Sequence, residues 1–312
     1  MKAAIIEEYG GPEVFKIKEK EEPSLGAGEI LVRNRASSVN PIDMHVRRGL
    51  AKLVTGLFRE HVIGSDFSGT VIASNNSKYK EGDEVFGFLN SVMGGAYAEK
   101  LVVSEKNLYK KPSNISFAEA ASLPLVASTA WQGMVKDGNL GNRNRVLVLG
   151  CTGGVGTAAV QIARSFDGIV SGTCSADHAE FALELGCEKV WAYEQEEVPE
   201  DEKFELIFDA SGKYSISDYE RNLTEDAMFV STKGGAESFS GAAGAVKDTL
   251  LNSRMKVVTV MPDPDDLAKI YAMVEDGWLK PYVARTFPLE DLASAHKMAA
   301  EGGFVGKIVV EI

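Results

Sequence analysis

Apolar positions follow two different rhythms along this chain, and the change comes near residue 112. Before it the apolar stretches are short and broken by turn residues: FKIKE (15–19), EILVRNRAS (29–37), FSGTVIA (67–73), DEVFGFL (83–89) and YAEKLVV (97–103). Strands of this kind, punctuated by Gly, Pro, Asn and Asp, predict a compact, mostly antiparallel β unit. Between 117 and 260 strand-like and helix-like patterns alternate. RVLVL (145–149), GIVSGT (168–173), KVWAY (189–193), FELIFDA (204–210), AMFVST (227–232) and MKVVTV (255–260) are the strand candidates, and AEFALELG (179–186) is one of the helices between them. Several are continuous apolar runs, as expected of parallel strands covered by helices on both faces. In βαβ order they predict a doubly wound parallel sheet, so the fold class is α/β.

The last stretch changes again. DPDDLAKIYAMVEDG (263–277) opens with acids and a proline and closes on glycine, the pattern of a capped helix. LEDLASAHKMAAEGG (289–303) predicts a second helix and KIVVEI (307–312) a closing strand. With no sheet of its own left to join, that strand is expected to pair with the N-terminal β unit. The predicted organisation is a discontinuous β domain, 1–116 with 262–312, into which a nucleotide domain, 117–261, is inserted. A cleft should separate the two.

One turn in the inserted part carries the first chemical signal. LGCTGGVGTAAVQIA (149–163) follows the strand RVLVL and opens a helix whose Val155, Ala158, Ala159, Ile162 and Ala163 share one face. A helix N-terminus presents unpaired N–H groups and the positive end of the dipole, a natural seat for a pyrophosphate. Gly153 would let the backbone approach phosphates and Gly156 would let the helix pack on the strand, with Gly150, Cys151, Thr152, Gly154 and Val155 completing the turn. Cys151 stands where the usual GxGxxG pattern begins with glycine. A small side chain can serve there if the backbone is not left-handed, and Gly150 and Gly154 add freedom nearby. An acidic residue at the end of the second strand would select NAD. Here that end holds Thr173, Cys174 and Ser175, which leaves room for a 2′-phosphate with Ser175 as a donor. The expected cofactor is therefore NADP(H).

Composition narrows the partners. Hydrophobic residues make up 45% of the 312 residues and the net charge is −12. Such a surface repels nucleic-acid phosphates and anionic lipids, so neither nucleic acid nor membrane is an expected partner. The 3 cysteines form no CxxC pair, and no leader-like or long apolar segment appears. The expectation is a cytoplasmic protein without a disulfide framework.

Read end to end, the chain resembles the medium-chain dehydrogenase/reductase superfamily, in its zinc-independent quinone oxidoreductase-like branch. SSVNPIDMHVRRG (37–49), VIGSDFSGTV (62–71), GDEVFGF (82–88), GGAYAEKLVV (94–103), AASLPLVASTAWQ (120–132) and TGGVGTAAVQIA (152–163) carry the resemblance. FELIFDASG (204–212) and DGWLKPYVARTFPLED (276–291) continue it. It implies a GroES-like β domain joined to a Rossmann domain, with NADP(H) in the cleft and a homodimer formed along the sheet edge at 255–260. Where zinc alcohol dehydrogenases carry Cys-Gly-x-Asp and Gly-His-Glu, this chain has Asn40-Pro41-Ile42-Asp43 and Gly64-Ser65-Asp66. An amide and a hydroxyl are poor zinc ligands, so no metal is expected.

Without a metal, hydride transfer suits an activated acceptor, a quinone or an α,β-unsaturated carbonyl. The resemblance implies Asn40 beside nicotinamide and substrate, Thr129 near the nicotinamide end, and Tyr193 at the adenosine phosphate pocket. Two tyrosines usual in NxxDxYxRxGLY are replaced by His45 and Ala51. His45 is a candidate proton donor or a hydrogen-bonded structural group, and Asp43 and Arg47 are expected to pair across one helical turn. Two further readings stay open: an enoyl-thioester reductase, and a protein that binds NADPH as a sensor without useful turnover.

Overall fold

A computed structural model describes residues 1–50, 60–89, 94–233 and 252–312. Ala51 lies outside the described residues. The N-terminal run Lys2–Ile6 forms the middle strand of a three-stranded antiparallel sheet, between Phe15–Glu19 and His61–Val62. Ala3, Ala4, Ile5 and Ile6 are all fully buried, because both faces of this strand are covered. A second sheet runs in the order Val283–Pro288, Lys307–Glu311, Glu29–Ser38, Asp66–Ser74, Glu84–Phe88, Leu108–Lys110. The C-terminal strand pairs antiparallel with Glu29–Ser38, Val309 opposite Ser38.

Two details depart from the periodicity. YAEKLVV yields a strand only from Lys100, paired with Glu29–Ser38. Before that point Tyr97 bonds to Ile63 and Ala4, so the chain crosses from one sheet to the other. No hydrophobic pattern predicts the strand Val283–Pro288. It is an edge strand with only Phe287 buried, so no alternation announces it, and it joins Lys307–Glu311 by parallel backbone pairing.

The inserted sheet has six strands, in the order Lys189–Ala192, Ile169–Cys174, Arg145–Leu149, Phe204–Asp209, Leu223–Ser231, Met255–Val257, all parallel. The order reverses around Arg145–Leu149, which is where a crevice opens beyond the carboxyl ends of the strands. Met255–Val257 is the outer strand, as the sequence pattern indicates. Helix Gly154–Ser165 buries Ala158, Ala159, Ile162 and Ala163 against the sheet.

The same core cluster takes in Phe86 and Phe88 from the β unit and Leu267, Ile270 and Val274 from helix Pro264–Glu275. Apolar packing is therefore continuous from the parallel sheet into the β unit. The glycine turn is also tied to the C-terminal strand: Gly306 N donates to Thr152 O at 3.0 Å, and Gly153 and Gly306 form an isolated parallel bridge. These contacts fix the cleft.

Candidate dinucleotide site and catalytic cleft

After the buried strand Arg145–Leu149 the chain turns at Gly150, whose φ of 77° is left-handed and disfavours any Cβ. Gly150 N and Cys151 N both donate to Thr173 O, at 3.0 and 2.9 Å, which ties the turn to the end of the second strand. Cys151 is outside the left-handed region and points into the core. A Cβ on Gly172 would lie 2.5 Å from its Sγ and 3.1 Å from that of Cys187. The missing glycine is thus replaced by a side chain that faces away from the crevice. Gly153 caps helix Gly154–Ser165 in an extended conformation. A Cβ at Gly156 would come within 2.1 Å of Gly150 O, so the helix start and the turn touch backbone to backbone. The cradle left in front of the helix, with first-turn N–H groups that no helical carbonyl can reach, fits a dinucleotide pyrophosphate.

Across the cleft, a buried polar network surrounds Asn40. Its Oδ1 accepts from Lys307 Nζ at 2.6 Å and its Nδ2 donates to Asp66 Oδ2 at 2.8 Å. Lys307 Nζ also donates to Val39 O, and Asp66 further accepts from Ser38 Oγ and from Leu125 N. The Asn40 amide therefore stands between an ammonium and a carboxylate that are both buried. Burial raises the Asp66 pKa and lowers that of Lys307, and the attraction between the two charges offsets both. Asp43 accepts from Ser65 Oγ at 2.7 Å, from Asn40 N at 2.9 Å and from Tyr97 Oη at 3.3 Å. Burial pushes its pKa up to about 6. The expected Asp43–Arg47 pair is replaced by these bonds, and Arg47 Nε and Nη1 are buried without a hydrogen-bond partner. The carboxylate turns inward because Ser65 and the Asn40 N–H, both buried, offer closer donors than a side chain one turn along.

Asn40, His45, Thr129 and Val155 line a cavity of about 180 Å³ whose other walls are largely apolar, Leu125 and Val260 among them. Thr129 Oγ1 donates to Leu125 O at 2.7 Å, so its hydroxyl is spent inside its own helix. His45 Nδ1 is buried without a partner, and burial together with Arg48 lowers the ring's pKa, so it is neutral at pH 7. A second cavity, of about 520 Å³, is lined by Thr173 and Tyr193 at the far side of the sheet's carboxyl edge. Ser175 lies next to it, bonded to His178 Nδ1 at 3.0 Å.

Three residues escaped the sequence reading. Lys307 heads KIVVEI and resembles an ordinary solvated strand end. Asp209 is fully buried and accepts from Ser211 N, Gly212 N, Tyr214 N and Ser231 Oγ, which pins the loop that carries Ser211 to one cavity and Tyr214 to the other. Its only sequence signal is its position at the end of an apolar strand. Glu194 Oε2 accepts from Ala176 N at 3.1 Å, a contact between the segments that follow two neighbouring strands, which no local pattern encodes. Where zinc ligands would sit, Ser65 donates to Asp43 and Asp66 is engaged as above. Among the described residues no group of three or more His, Cys, Asp or Glu could hold a metal ion.

A parallel sheet with a glycine turn, facing a β unit across a largely apolar cleft, defines a dinucleotide-dependent oxidoreductase of two-unit construction. Residues 26–113 match the alcohol dehydrogenase GroES-like domain, and 185–310 match the zinc-binding dehydrogenase family. A mitochondrial NAD(P)H oxidoreductase of Homo sapiens is 30% identical over 100% of this chain and 89% of its own length. The quinone oxidoreductase of Coxiella burnetii superposes with a TM-score of 0.89 at 26% identity, covering 100% of this chain and 99% of that one. A structure described as an NAD-dependent alcohol dehydrogenase gives 0.86 at 29% identity, with 100% of both chains covered. The chain belongs to the medium-chain dehydrogenase/reductase superfamily, in its quinone oxidoreductase-like branch.

Proposed function

We propose that this protein is a nicotinamide-dependent reductase that delivers hydride to a quinone or an α,β-unsaturated carbonyl without a metal. The observation that carries the reading is the cavity beside Asn40: small, largely apolar and open to the end of the glycine turn, with the Asn40 amide and the Thr129 hydroxyl proton already engaged and the His45 ring nitrogen Nδ1 left without a partner. The bound cofactor would supply the hydride. What the chain's own residues supply is orientation and exclusion of water. Val155, Leu125 and Val260 offer apolar walls, and Lys307 with Asp66 locks the Asn40 amide in one orientation. Neutral His45 can hydrogen-bond a carbonyl oxygen, but a ring whose pKa is lowered by burial carries little of the extra proton at pH 7, so the proposed proton source is solvent.

We assign 1–116 with 262–312 to the catalytic unit and 117–261 to the cofactor unit, with helix Pro264–Glu275 packed between them. Among the described residues no helix is long and apolar enough to cross a membrane. A cytoplasmic homodimer joined along the edge strand Met255–Val257 is part of the proposal, and sedimentation at micromolar concentration reads the oligomer.

Steady-state oxidation of NADH and NADPH with a panel of quinones, enones and enoyl thioesters tests the reading. Turnover of quinones or enones is expected, with the same rate after exhaustive chelation. Preference for enoyl thioesters would move the assignment to that class. Tight dinucleotide binding with no turnover on any acceptor would leave only a sensor.

A further inference from the structure

We propose that Glu194 makes this chain select NADH over NADPH, an inference that rests on reading the glycine turn as the dinucleotide site. The strand Lys189–Ala192 runs parallel to Ile169–Cys174, with Thr173 opposite Trp191 and Cys174 opposite Ala192. Leaving it, Tyr193 N donates to Cys174 O at 3.1 Å. The next residue, Glu194, then reaches over the end of the neighbouring strand and takes the Ala176 N–H. The uncharged end Thr173-Cys174-Ser175 therefore does not stay uncharged in space. A carboxylate from the turn after the adjacent strand stands beside it, where a residue of the second strand itself would usually supply the acid.

Two further features agree. The groups a 2′-phosphate would need already have partners: the Ala176 N–H donates to Glu194, and the Ser175 hydroxyl is hydrogen-bonded to His178 Nδ1. The adjoining cavity carries Glu196, Glu197 and Asp218 on its walls, and no Lys or Arg among its described lining residues. A phosphate monoester brings a charge of about −1.5 to −2 at neutral pH, which these carboxylates repel. Ribose hydroxyls, in contrast, donate to a carboxylate. The sequence expectation of NADP(H) is thus opposed by a residue that only folding brings to the site.

Equilibrium binding of NADH and of NADPH, followed by calorimetry, tests this without any turnover. The wild-type chain is expected to bind NADH about tenfold tighter or more, the scale of one carboxylate–phosphate repulsion at close range. Glu194→Gln should narrow the ratio about fivefold, mainly by tightening NADPH, and Glu194→Lys should invert it. Glu194 is exposed, so both variants should melt within a degree or two of wild type. Equal or tighter binding of NADPH by the wild type, or an unchanged ratio in Glu194→Gln, overturns the proposal and leaves the reductase reading standing. Failure to bind either dinucleotide overturns both.

Discussion

At the scale of single residues, the chemistry of the cleft depends on a lysine that looks ordinary in the sequence. Lys307 is buried at the start of a strand and contributes its ammonium to Val39 and Asn40, with Asp66 one amide away. Removing one member of a buried charged set costs about 3–5 kcal/mol, because the remaining charge is left in a poor solvent. Lys307→Met is therefore expected to lower the unfolding free energy read from a urea titration by that amount, with a lower midpoint, and Lys307→Met with Asp66→Asn to recover part of it. An unchanged midpoint in the single variant would mean that the ammonium is not compensating Asp66. The structure brings Asn40, His45 and Thr129 to one cavity, and the sequence singles them out, Asn40 and Thr129 through the family resemblance and His45 as a departure from it. Lys307 and Asp209 are not singled out, since burial of a polar residue depends on what folds over it.

Among the elements, the glycine turn was the most legible, because strand, turn and helix are all local patterns. The structure divides its glycines by the space each one has. A Cβ at Gly156 would meet backbone oxygen at 2.1 Å, whereas at Gly153 the nearest atom is 3.6 Å away. Gly156→Ala should destabilise by about 1–3 kcal/mol, the scale of an overpacked contact, and should weaken dinucleotide binding. Gly153→Ala should melt close to wild type and weaken binding alone. Paired thermal melts and binding titrations read both effects, and equal melting of the two variants would sink the distinction. Strands such as RVLVL could be read because burial on both faces leaves a continuous apolar run. Val283–Pro288 could not, since its pairing is made by backbone groups and only one side chain turns inward.

For the molecule as a whole, pH reports how the β unit is closed. His296 is fully buried, bonded to Tyr97 Oη at 3.1 Å, and burial holds its pKa well below the ordinary 6.5. The unfolded chain can protonate this ring below pH 6.5 while the folded chain cannot, so its contribution to stability is lost as pH falls through that value. Asp43 acts in the opposite sense. Its folded pKa of about 6 exceeds the usual carboxylate value, so the folded state gains stability as pH falls from about 6 towards 4. Between pH 7.5 and 6 the histidine dominates, and the melting temperature should drop. His296→Gln is expected to flatten that limb, and thermal melts over the pH series would show whether it does.

The sequence by itself determined the two-unit α/β architecture, the closing strand and the glycine turn, because periodicity and turn chemistry are written along the chain. Replacement of zinc-ligand residue types by Asn40 and Ser65 was equally visible, since it concerns only which side chains are present. Tertiary structure decided the rest: which amide is clamped between Lys307 and Asp66, where Cys151 points, and which carboxylate stands beside the end of the second strand. Each of these joins residues far apart in the chain, and such contacts are set by strand order and packing. Spacing along the sequence carries no record of them.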